Sequence, residues 1–190
     1  MSRNTFLNSP LGDWALWTLG FLAFPLAGIA GGAIAGPVDS PVAALLGGLV
    51  TGAVIGTGQW LASRRRLDWT RWVPATAAGM GPGLLAGAVA VDFGTSLADL
   101  AVMGAVTGLF LGAAQAVALP AAARRRWAWA AAMPVFWALG WAVTTAAGVD
   151  VEAHYTVFGS TGAITVSAVS GLLLLFVLPR TARIAVASAA

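Results

Sequence analysis

Cysteine and lysine are both missing from the 190 residues, and histidine and tyrosine occur once each, as His154 and Tyr155. Without cysteine there is no disulfide, no thiolate catalysis, no iron-sulfur ligation and no Cys-type zinc site. Without lysine there is no Schiff base to retinal or pyridoxal and no P-loop lysine. A single histidine argues against haem or chlorophyll held between paired histidines, so no cofactor is expected. Charge is scarce as well: 9% of residues are Asp, Glu, Lys or Arg, against about 25% in ordinary soluble domains. No Asp, Glu, Arg or His stands in the middle of an apolar stretch, which disfavours proton relays, ion-coupled carriers and voltage sensors.

What is present is apolar. Hydrophobic residues make up 59% of the chain and the mean hydropathy is +0.85. Stretches of about 20 residues, long enough to cross a hydrocarbon core of ~30 Å, are separated by short polar connections. The spans read as roughly 14–35, 41–62, 72–91, 98–119, 127–147 and 157–178. The fold class is therefore all-α, a six-helix transmembrane bundle in one integral membrane domain over 1–190. The run from Trp14 to Ala35 is too long for a signal-peptide core, so retention of the first span is expected, with Ser9-Pro10 as its N-terminal cap.

Every basic residue is an arginine, and with six crossings all ten fall on one side. Arg3 precedes span one, Arg64, Arg65, Arg66 and Arg71 join spans two and three, Arg124, Arg125 and Arg126 join four and five, and Arg180 and Arg183 follow six. Asp39, Asp92, Asp99, Asp150 and Glu152 occupy the other side. The positive-inside rule makes the arginine side cytoplasmic, with both termini there. The arginine triplets then need only a topogenic role, compatible with contact to anionic lipid headgroups, and the high pI is no signal of nucleic-acid binding. The bias toward Ala, Gly, Arg and Pro suggests a high-GC bacterial genome and hence a bacterial inner membrane.

The chain repeats itself with a period of 56 to 58 residues. Gly48, Gly52, Gly56 and Gln59 in span two recur as Gly104, Gly108, Gly112 and Gln115 in span four, and each copy leads into an arginine triplet. A weaker third copy begins at Gly162, and Pro25 matches Pro82 in the odd spans. This describes three parallel helical-hairpin repeats, at about 13–66, 70–126 and 127–183. Glycines four apart form a glycine-zipper face on which helices approach closely in lipid. The run Gly79-Met80-Gly81-Pro82-Gly83 predicts a kink in span three.

Neutral polar residues are what remains at depth. Gln59, Gln115, Thr51, Thr107 and Thr165 either hydrogen-bond between helices or line a path for a small solute. Asp150, Glu152 and His154 alternate in an outer loop and form a weak candidate metal site, although acidic outer loops need no ion to explain them. Trp14, Trp17, Trp60, Trp69, Trp72, Trp127 and Trp129 fall near the arginine-side ends of spans, as an interfacial aromatic belt would. Trp137 and Trp141 are deeper, on one face of span five.

The pattern Gly52-x3-Gly56-Thr57-Gly58-Gln59-Trp60-Leu61, followed by Arg64-Arg65-Arg66 and a helix led by Trp72, resembles a group of bacterial multi-pass membrane proteins to which no activity is attached. The likeness covers about residues 14–183 and departs at Ala116, where a tryptophan is expected. The expected function is a non-catalytic accessory, scaffold or membrane-organising subunit, with the bilayer and either a membrane-protein partner or further copies of itself as its contacts. A passive channel or carrier along a pseudo-threefold axis is the alternative, and an intramembrane enzyme comes third.

Overall fold

The computed structural model describes residues 9–179. Its helices are α1 (Pro10–Leu19), α2 (Ala23–Ala35), α3 (Pro41–Ala62), α4 (Trp69–Ala90), α5 (Leu97–Ala118), α6 (Arg126–Ala146) and α7 (Ser160–Val177), with no strand among the described residues. α1 and α2 form one span, Pro10–Ala35, so six helical segments are long and apolar enough to cross a membrane. This is the architecture of a polytopic membrane protein. Arg3, Arg180 and Arg183 lie outside the described residues.

Local chemistry starts each span. Ser9 Oγ accepts from Gly12 N at 3.0 Å ahead of Pro10, and Ser40 does the same for Ala43 N ahead of Pro41. Ser96 and Asp99 form a reciprocal capping box on α5. Asp68 caps α4, and the hydroxyl and amide of Thr70 hold its carboxyl below the usual carboxylate value.

α4 stays one continuous helix through Pro74 and Pro82. In the first span the α-helical bonding is interrupted, where Gly20–Leu22 tightens into a 3-10 turn. Pro25 lacks the N–H that would serve the Phe21 carbonyl one turn earlier, in the same stretch.

The spans close into a ring. Each packs on its neighbours in sequence, and α7 returns to α1. α2, by contrast, barely touches α7. The gap is filled in part by the connection between α6 and α7, which turns inward after the short 3-10 helix Val151–Ala153 and buries Thr156, Val157 and Phe158. α7 consequently starts at Ser160, three residues later than its apolar run begins.

Candidate functional site

On the arginine side of the ring, three buried tryptophans meet. The Trp129 ring stands edge-on to Trp17 at 5.9 Å and to Trp72 at 6.1 Å between centroids. Each indole N–H donates to a polar side chain of a neighbouring span. Trp72 Nε1 donates to Gln59 Oε1 at 3.1 Å, Trp129 Nε1 to Gln115 Oε1 at 3.0 Å, and Trp17 Nε1 to Ser170 Oγ at 3.0 Å. Gln115 Nε2 then donates both to Gln59 Oε1 at 3.0 Å and to Thr76 Oγ1 at 3.1 Å. The two glutamines therefore face each other, in a network closed by indoles. In low-dielectric surroundings such a network is stabilising because each member is partnered.

Deeper in the ring, aromatic packing takes over. Phe158 of the inserted connection stacks on Phe24 at 5.4 Å and lies edge-on to Trp137 at 5.0 Å and to Trp141 at 6.0 Å. Beside it, Thr51 Oγ1 donates to Thr156 Oγ1 at 2.9 Å. A backbone bond from Val38 N to His154 O at 2.8 Å ties the connection to the α2–α3 loop. The ring is thus closed at two levels, by the tryptophan–glutamine network and by Thr156-Val157-Phe158. Cavities of about 240, 290 and 370 Å³ lie along α2 and beside α1 and α3, and neither glutamine lines any of them.

The remaining polar residues of the expected path scatter. Thr107 donates to its own helix at Met103 O, 2.8 Å away, and half-exposed Thr165 to Thr161 O at 2.9 Å. Asp150 accepts from Glu152 N at 3.2 Å in the short turn. Among the described residues, no three His, Cys, Asp or Glu side chains are placed to hold a metal ion, Asp150, Glu152 and His154 included.

The glycines lie between helices of the same chain. A Cβ added at Gly52 would sit 2.8 Å from Ala77 Cα, and one at Gly48 equally close to Gly81 Cα, both on α4. Gly108 faces Pro134 and Met133 of α6, with Gly104 and Gly112 on either side against Trp137 and Ala130. Gly56 meets Thr76 and Val73. A further face, Gly79, Gly83 and Gly87 on α4, packs on Leu111, Thr107 and Met103 of α5. Its spacing of four is visible in the sequence, with Pro82 lying inside it.

One expectation needs correction. Trp17, Trp72 and Trp129 do not belong to an outward aromatic belt; they are 3%, 0% and 0% exposed, whereas Trp69 and Trp127 are 59% and 69% exposed. The arginines also make contacts that a topogenic role does not require. Arg66 and Arg64 approach the buried carboxylate of Asp13 at 3.4 and 3.8 Å, and Arg65 lies over the Trp60 ring at 5.5 Å. Arg71 donates to Val117 O at 3.3 Å and Arg126 to Pro120 O at 3.2 Å, while Arg124 and Arg125 are exposed. Asp13 was missed because the first span begins at Pro10, a turn before its apolar run. No family model, curated protein or solved structure matches the chain, so its own geometry has to carry the functional reading.

Proposed function

We propose that this chain is a non-catalytic cytoplasmic-membrane bundle, an accessory or scaffold subunit whose ring is sealed rather than conducting. The observation that carries the reading is the double closure, first by Gln59 and Gln115 with their tryptophans and again by Phe158 among Phe24, Trp137 and Trp141. A solute path needs polar groups with spare hydrogen-bonding capacity along a continuous void. Here Gln115 is fully buried and its carbonyl and amide are both occupied.

A plan of three parallel hairpins supports the same reading. Trp72 with Gln59 and Trp129 with Gln115 make the same contact between successive hairpins, and Trp17 with Ser170 closes the ring from the third hairpin to the first. In that third position Leu173 stands where a glutamine would fall, and the indole finds a serine instead. The arginine side faces the cytoplasm in this reading. The first span is the least buried of the six, leaving Leu19, Leu22 and Leu26 toward lipid or a partner.

The test is permeation. Proteoliposomes should shrink under osmotic challenge with glycerol or urea, and dissipate sodium or potassium gradients, at the rate of protein-free vesicles. Protein-dependent flux, abolished by Gln59→Leu with Gln115→Leu, would replace the scaffold by the channel reading.

A further inference from the structure

Where α2 draws away from α7, the inserted segment does not fill the whole gap. A crevice of about 240 Å³ remains between Phe24, Gly28 and Ile29 on α2 and Val157 and Phe158 of the segment. Its floor is buried, Phe24 and Phe158 each being 2% exposed, while Ile29 at the mouth is 70% exposed. The mouth therefore faces outward from the ring, toward the ends of the spans opposite the arginine side. The only hydroxyls in the lining are those of Tyr155, in the connection opposite the arginine side, and Ser160, at the first position of α7, and both residues are exposed.

We propose that this crevice binds one acyl chain of a membrane lipid from the leaflet opposite the arginine side. Apart from those two hydroxyls its side-chain lining is apolar, so it offers water few hydrogen-bond partners. The medium against the mouth of a crevice between two spans is hydrocarbon, so the occupant that matches both lining and surroundings is a lipid tail. Tyr155 and Ser160 lie where the tail would meet its polar end, since tyrosine favours the interfacial level. The grooves beside Gly20 and Gly58 differ, because exposed Leu19, Leu22, Leu26 and Leu61 line them without an aromatic floor. Gly28 leaves room for the chain: a Cβ there would make only ordinary contact, 3.6 Å from Val157 Cγ1.

This inference rests on the bilayer placement proposed above and is independent of whether the ring conducts. The protein is reconstituted in vesicles of phosphatidylethanolamine and phosphatidylglycerol carrying a phosphatidylglycerol with a mid-chain diazirine, irradiated, and its adducts mapped by mass spectrometry. Adducts are expected at Phe24, Val157 and Phe158, and also at Leu109 and Val135, exposed apolar residues on other spans. Gly28→Phe, which fills the crevice, should abolish the first set and retain the second. Ile29→Trp blocks the mouth from an exposed position and should do the same even where Gly28→Phe disturbs folding. Labelling of Leu109 and Val135 without Phe24, Val157 or Phe158, or crevice labelling unchanged by both variants, overturns the acyl-chain site. Failure to label Leu109 and Val135 as well overturns the bilayer placement beneath it.

Discussion

Gln115 is fully buried, accepts from Trp129 and donates to Gln59 and Thr76. Replacing it by methionine, of similar shape, leaves the Trp129 indole N–H without an acceptor where water cannot substitute. An orphaned buried donor costs about 1–3 kcal/mol. Gln115→Met is therefore expected to lower stability in detergent by that amount, read from denaturant or thermal unfolding. Trp127→Phe, at a position 69% exposed, should stay within about 0.5 kcal/mol of the parent. Equal behaviour of the two variants would show that the network contributes no stability. The matched glutamines were legible in the sequence because both follow glycines at one spacing. Their indole partners were not, since the position of Trp72 or Trp129 along a helix gives its depth and not the side it faces. The Asp13 pairs with Arg64 and Arg66 join segments some fifty residues apart and leave no periodic trace.

Among the helices, composition did most of the work: the expected bounds of the second span, 41–62, coincide with α3, and those of the others fall within four residues of the observed ends. Hydropathy cannot separate an apolar helix from an apolar coil that turns into the ring, so Val157 and Phe158 read as the start of a span although α7 begins after Gly159. Glycine spacing, by contrast, locates the surfaces where backbones meet. At Gly52 an added Cβ would lie 2.8 Å from Ala77 Cα, and at Gly83 3.1 Å from Thr107 Cα, so any larger side chain must push two helices apart. Gly52→Leu and Gly83→Leu are each expected to cost about 1–3 kcal/mol through overpacking. Gly32→Leu supplies the control, because nothing lies within 4 Å of a Cβ at that position and leucine is the better helix former by somewhat under ~1 kcal/mol. Thermal unfolding in one detergent ranks the three. Loss at Gly32 equal to that at Gly52 and Gly83 would assign the effect to leucine itself rather than to helix contact.

At the scale of the whole molecule, six crossings place the connections at Asp39, Asp92 and Asp150 on one side and those at Arg65 and Arg124 on the other. In the orientation proposed above, charge decides which side is cytoplasmic: the arginines cluster in the latter connections, and the positive-inside rule assigns basic loops of this length to the inside. Folding alone would permit the reverse, because Arg64 and Arg66 find Asp13, and Arg71 finds a helix-end carbonyl, in either orientation. The absence of cysteine makes the question open to a clean experiment, since a single introduced thiol is the only one in the chain. Asp39, Asp92, Asp150, Arg65 and Arg124 are all exposed, so cysteine at each can meet a reagent without entering the core. In intact spheroplasts a membrane-impermeant maleimide should label Asp39→Cys, Asp92→Cys and Asp150→Cys, while Arg65→Cys and Arg124→Cys should react only after permeabilisation. The mirror-image result would keep the six crossings and reverse the orientation. Labelling of one of the three aspartate positions only after permeabilisation, with the other two labelled outside, would break the alternation on which the closed ring depends.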